Sequence, residues 1–409
     1  MKRSRCTTTA VLAGLALAAT LPWALASCAT TEEGSSREDT PRAVLEAGAS
    51  DGSDAGPSDS GGDADCAAAD PMCVTKPISC EEAAWCPVPT KVSSLYALTA
   101  IWGSGKDDVW VSGSGGTVIH WDGSAWTPTP LPTESGLPLK NTFHALWGSG
   151  PNDVWVASAT NLIFHTDGFK NGTATWTQLP NAVQALPVPL YAAWGTGPDD
   201  LRFGGRPYYF SDPDHGLLVA NQIIKKRSEA GVEWTPARGS ATVHGLWGSS
   251  PDDVWLIGDN RAEVAWQIGL TMHGTRQGDD FIWNEVDSRA SAVLRGIWGS
   301  SASDVWAVGD RGTIRRFGPN ATEWEIIESP TTETLHAVWG ASASDVWAVG
   351  ESGTILHWDG ATWTTSVAAF PDNQKKPHLY GIWGSGPTDM WIVGEGIALR
   401  YTGKTGGSK

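Results

Sequence analysis

Beyond Cys86 this 409-residue chain contains no cysteine, so the long remainder folds without disulfides or thiolate metal sites. Apolar runs are as scarce: after residue 27 no stretch is long enough to span a bilayer as a helix. Positive charge is in deficit, with 28 Lys and Arg against 45 Asp and Glu and a net charge of −17. That balance argues against nucleic acid as a partner. Motifs that carry catalysis are missing too. There is no Gly-x-Ser-x-Gly elbow, no His-Glu-x-x-His pair and no glycine-rich phosphate loop, so no cofactor is expected.

The N-terminus has a basic head of Lys2, Arg3 and Arg5, then "AVLAGLALAATLPWALA", then Cys28. This is the layout of a secretory signal, with an uncleaved membrane anchor as the rival reading. Leu25-Ala26-Ser27-Cys28 resembles the lipobox of bacterial lipoproteins, which implies a signal peptide over 1–27 and lipidation at Cys28. Ala29 in place of Asp resembles outer-membrane cargo, so the expected location is the bacterial envelope, periplasmic or surface-exposed. Residues 28–65 are rich in Ser, Gly and Asp with little to bury, and are expected to form a solvated tether. No loop there has the ligand spacing of a calcium EF-hand. Cys66, Cys73, Cys80 and Cys86 follow in a segment over 66–86. An exported chain with four clustered cysteines suggests two disulfides in one of three pairings, stapling the tether to the domain. Zinc is disfavoured, because the segment lacks Cys-x-x-Cys and histidine.

The remainder, 81–409, repeats itself. "WG" occurs at Trp102, Trp147, Trp194, Trp247, Trp298, Trp339 and Trp383, at intervals of 41 to 53 residues. Eight places on stand Trp110, Trp155, Trp255, Trp306, Trp347 and Trp391, with Arg202 in the third copy. Two places before each lies an acid: Asp108, Asp153, Asp200, Asp253, Asp304, Asp345 or Asp389. In the copy from Leu335 to Thr364, "LHAVWG", "DVWAVG", "TILHW" and "ATWTT" read as four strands separated by turns. Four antiparallel strands per repeat of this length is the pattern of a propeller blade. The two tryptophans would face each other across the first hairpin, and the acid would accept backbone N–H bonds in a turn. A third tryptophan marks the fourth strand at Trp126, Trp176, Trp234, Trp283, Trp324 and Trp363, but the last copy ends before it. Trp85 supplies the missing member. The expected fold is therefore an all-β, seven-bladed propeller whose last blade is completed by an N-terminal strand around Trp85.

"DVWAVGESGTILHWDGATW" resembles the repeats of the photosystem II assembly-factor type of propeller and, more loosely, the BNR or Asp-box repeats of sialidases. The likeness runs from about Cys80 to Gly403. It implies a noncatalytic binder. The Asp-boxes are degenerate, since Asp122 to Trp126 and Asp359 to Trp363 are four residues apart rather than five. The arginine triad and Phe-Arg-Ile-Pro motif of sialidases have no counterpart here, so no catalytic residue is carried over.

In such blades the linkers and the turns between second and third strands share one face. Length varies most there, in "TPTPLPTESGLPLKNTF", in "TTSVAAFPDNQKKPH" and in the "RPYYFSDPDHG" insertion of the third copy. That face is the expected binding face. Three residues before each "WG" stand Thr99, His144, Tyr191, His244, Arg295, His336 and Tyr380, each followed by Ala or Gly and then an apolar residue. They are expected to ring the mouth of the channel, as ligand contacts or simply as solvating groups. His144, His244 and His336 fall on alternate blades, too far apart to favour a metal. Arg206, Tyr208, Tyr209, Asp212 and His215 form a second candidate cluster at the rim, in an exposed loop. The expectation is a monomeric, lipid-anchored module binding a protein or a glycan. The alternative is an exported carbohydrate-active enzyme, sialidase-like or a lyase, using the hub histidines and Arg295.

Overall fold

Short β-prone runs bounded by Gly, Asp and Ser form 28 strands in the computed structural model. It describes residues 78–404, apart from 134–138, 161, 180–187, 229–230, 260–268, 279 and 372–374. The expected signal peptide, Cys28, the tether over 28–65, Cys66 and Cys73 lie outside the described residues. The strands make seven four-stranded antiparallel sheets, and the chain is a seven-bladed propeller. Blade six illustrates the unit, with strands Leu335–Ser342, Asp345–Gly350, Ile355–Trp358 and Trp363–Thr365.

All seven tryptophan positions pair across the first hairpin as expected: Trp339 faces Trp347, Trp102 faces Trp110, and Trp194 faces Arg202. The stretch "GASASD" is not a long turn, however. Ser342 already pairs with Asp345, and the register slips by one residue between Gly340 and Ser342. A β-bulge absorbs the odd residue and leaves a two-residue loop.

Ring closure follows the sequence reading. Trp85–Pro87 pairs antiparallel with Ile397–Tyr401, so the seventh sheet combines both ends of the domain. Thr402 reinforces the joint by donating from its amide and its hydroxyl to Ala84 O, at 2.8 and 3.1 Å. Cys80 and Cys86 form a disulfide, which selects the one pairing scheme that would leave Cys66 with Cys73. The bond is local. It ties a tight turn to the closing strand and does not link distant parts of the chain.

Indoles hold neighbouring blades together. Except in blade four, which follows the Arg202 blade, each fourth-strand Trp meets the second-strand Trp of the preceding blade edge-on, as in Trp176 on Trp110 at 5.6 Å and Trp363 on Trp306 at 5.4 Å. Trp85 meets Trp347 at 5.3 Å in the same manner, so the borrowed strand occupies a full blade position. Such pairs contribute roughly 0.5–1.5 kcal/mol beyond burial. The "WG" tryptophans explain the glycine after them. A Cβ on Gly299 would stand 2.6 Å from the indole of Trp247, and one on Gly103 would stand 2.6 Å from that of Trp383, which carries the contact across the closure.

Candidate binding site at the hub

The first strands of the blades, from Leu98–Gly105 to Leu379–Gly386, line the central channel. In each, the register with the second strand slips around one residue: Leu98 faces Gly113 and Ala100 faces Ser112, which leaves Thr99 over. The residues left over in the other blades are His144, Tyr191, His244, Arg295, His336 and Tyr380. The seven hub candidates are thus seven bulge residues, and a bulge re-aims its side chain out of the pleat. All seven line one open cavity of about 540 Å³, together with Ala97, Ser114 and Thr142. Ala97 and Thr142 end blade linkers and Ser114 begins a turn between second and third strands, so the mouth opens on the face of variable loops. Below it the channel narrows past Ala or Gly to an aliphatic ring of Ile101, Leu146, Leu246, Ile297, Val338 and Ile382, with Ala193 in blade three.

The ring is a chain of contacts. His144 meets Tyr191 edge-on at 5.5 Å, Tyr191 stacks on His244 at 5.6 Å, and His336 leans on Tyr380 at 5.1 Å. Thr99 donates its hydroxyl to Phe143 O at 2.7 Å. A second set of residues, fifteen places after each ring member, supports the first. His244 pairs with Asp259 at 2.8 Å, Arg295 is bound in bidentate fashion by Asp310, His336 lies 3.8 Å from Glu351, and Tyr380 donates to Glu395 at 3.4 Å. Blades one to three carry Ser114, Ala159 and Arg206 at that position. Carboxylates therefore back only blades four to seven. This set escaped the sequence reading, although the constant interval is visible once the ring is aligned.

Burial lowers the pKa of His144. Burial, and next Arg295, lower that of His336 to about 4 against the opposing pull of Glu351 and Asp310, so it is neutral at physiological pH. Burial, then Glu395, raises Tyr380 to about 12. Among the described residues no three His, Cys, Asp or Glu side chains converge as metal ligands.

The rim cluster differs from expectation. "RPYYFSDPDHG" is no loop; it lengthens the second and third strands of blade three to Asp200–Asp212 and Gly216–Ser228. Tyr208-Tyr209-Phe210 and Leu217-Leu218-Val219 are β-prone and pair across a turn. Asp212 caps that turn by accepting from the amides of Asp214 and His215 at 3.0 and 2.9 Å, and its carboxylate also bonds the His215 ring. Tyr208 is removed from the rim. It is buried, and its hydroxyl donates to Gln222 O at 3.0 Å. Arg206 and Tyr209 are exposed.

The acid before each second-strand Trp has side-chain partners rather than the backbone amides expected. Asp153 takes Ser149 at 2.6 Å, the Trp155 indole at 2.8 Å and His165 at 2.9 Å. Burial works to raise its pKa, but these bonds prevail and lower it to about 2. The partnering side chain comes from the third strand, as His120, His165, His273, Arg316, His357 or Arg400. Its flat group covers the indole face, as His357 does on Trp347 at 4.0 Å. Repeated round the ring, this network is structural. Blade three departs from it: Arg202 is 2 % exposed and lies over Phe281 of blade four at 4.6 Å.

This geometry defines a seven-bladed propeller with a polar, aromatic mouth over an aliphatic throat. YCF48 bound to D1 peptide is similar in fold, with a TM-score of 0.58 at 18% identity over 78% of this chain and 97% of that one. YCF48 from Cyanidioschyzon merolae gives 0.56 at 18% identity over 78% and 99%. The WD40 propeller domain of Doa1 gives 0.53 at 10% identity over 75% and 93%. No protein-family model and no curated protein sequence matches the chain.

Proposed function

We propose that this chain is a membrane-anchored, extracytoplasmic binding module that holds a segment of a protein partner over the mouth of its channel and does no chemistry on it. The observation that carries the reading is the ring of seven bulge residues aimed into one open cavity. A space of this size admits a few side chains, not a folded domain. Two of the ring's ionisable members are already engaged, Arg295 by Asp310 and His244 by Asp259. That suits recognition better than the acid–base pair a glycosidase or lyase requires. YCF48, similar in fold, is bound to a peptide, which gives a precedent for peptide capture on this architecture. The lipobox-like Cys28 and the acidic segment after it support an envelope location with the disc held off the membrane.

Random-peptide display on the full-length chain tests the reading. Selected peptides should bind the wild type and lose roughly tenfold or more in affinity with Arg295→Ala or Tyr380→Ala. Turnover of a glycan panel, abolished by replacing His144, His244, Arg295 and His336 together, would overturn it in favour of an enzyme.

A further inference from the structure

Blade three breaks the repeat at several places, one of them in the channel wall. In the aliphatic ring below the hub, six blades carry Ile, Leu or Val, whereas blade three carries Ala193. The channel reaches Ala193 between Leu146 and Leu246, with Tyr191 above it. At the supporting position blade three has Arg206 in place of a carboxylate. From there its second and third strands continue as a ribbon past the last partners on either side, Leu190 and Arg238. Tyr209 pairs with Val219 and Ser211 with Leu217, which puts Tyr209 and Leu217 on one face of the ribbon, 67 % and 69 % exposed. In a molecule built from copies, departures that remove a core side chain and expose apolar ones mark the specialised sector.

We propose that the hub recognises an extended peptide by one large apolar side chain, Leu, Met or Phe, seated on Ala193, with a basic residue of the same peptide over blades six and seven. The inference rests on the peptide-binding reading and adds the class of peptide. The shape argument is the layered channel: a polar collar can take main-chain groups while the aliphatic throat takes the side chain, deepest where the ring lacks its own. Charge favours a basic residue over blades six and seven, where Glu351 and Glu395 are partly or fully exposed and have no counterpart on blades one to three; Asp310 is offset by Arg295, and Asp259 is buried against His244.

Fluorescence anisotropy with the full-length chain provides the test. The probes are acetylated, dye-labelled octapeptides of Gly and Ser with Leu, Met, Phe, Ala or Asp at the centre and a Lys-Lys or Glu-Glu flank. Leu-, Met- and Phe-centred probes should bind on the order of tenfold or more tightly than Ala- or Asp-centred ones, the range that small apolar differences give in a pocket. Lys-flanked probes should exceed Glu-flanked ones, and the difference should shrink at high salt. Ala193→Leu installs the side chain that blades two and four already carry, so the disc should keep its Tm within about 5 °C while the Leu-centred probe loses tenfold or more. Ala193→Val should give a smaller loss of the same sign, which keeps the test open if the leucine does not fit. Equal binding of Leu- and Ala-centred probes, or unchanged binding in both variants, overturns the anchor yet leaves peptide capture standing. Glu-flanked probes binding as well as Lys-flanked ones overturns the charge assignment. Failure of every probe overturns the anchor, and failure of random-peptide display as well overturns the reading beneath it.

Discussion

Trp306 is fully buried where blades five and six meet, between Trp358 and Trp363, whereas Trp298 on the preceding strand is only half-buried. Trp306→Ala should therefore cost about 3–5 kcal/mol, and Trp298→Ala clearly less, as read from urea denaturation. Gly299→Ala places a methyl against the Trp247 indole and backs it with a packed blade. A loss of about 1–3 kcal/mol is expected, although alanine normally suits a strand better than glycine. His336 gives a pH signature. Its pKa is lowered from 6.5 to about 4 on folding, so between those values the unfolded chain holds a proton that the folded chain does not. Stability then rises with pH across this window. It is unaffected by this group above about pH 7 and falls as the pH drops from 6.5 toward 4. His336→Gln should flatten that part of the Tm–pH curve by roughly a few degrees; an unchanged curve would show that folding does not shift the histidine's pKa.

At the scale of the element, the closing strand is the weak joint of the ring. Trp85–Pro87 has only three residues, but it places Trp85 against Trp347 and covers the outer edge of Ile397–Tyr401. Deleting residues 78–88 would leave that edge unpaired, which invites strand addition between molecules. The expected result is lost hydrogen-exchange protection at Arg400 and Thr402, the latter donating its amide to Ala84 O, with self-association rising with concentration. Retained protection would mean that blade seven is stable with three strands. The Cys80–Cys86 bond closes a short loop beside this strand, so its reduction should cost about 2 kcal/mol by loop entropy, with the same amides the first to exchange.

At the scale of the whole molecule, periodicity was what made the fold legible. Spacing between indoles gave the number of blades, the facing pairs and the role of Trp85, because closing a ring admits no unpaired sector. Length of strand was harder to read: Tyr208-Tyr209-Phe210 has strong β preference, but Pro207 and the Asp-Pro-Asp sequence next to it suggested a loop. The hub ring was legible as a column of aligned positions, whereas its bulges were not, since a one-residue slip leaves no mark on composition. The carboxylates behind blades four to seven stayed hidden because they act fifteen residues away from the side chains they hold. His165 and its equivalents were missed for a similar reason, lying on the third strand while the conspicuous acid lies at the start of the second. In the proposed function a partner segment binds at the channel mouth. The most direct test is an experimental structure of the full-length chain with a peptide selected by display. The peptide is expected to cross the mouth in contact with Tyr191, Arg295 and Tyr380; a peptide seated on an outer blade edge or on the opposite face would overturn the proposed binding site.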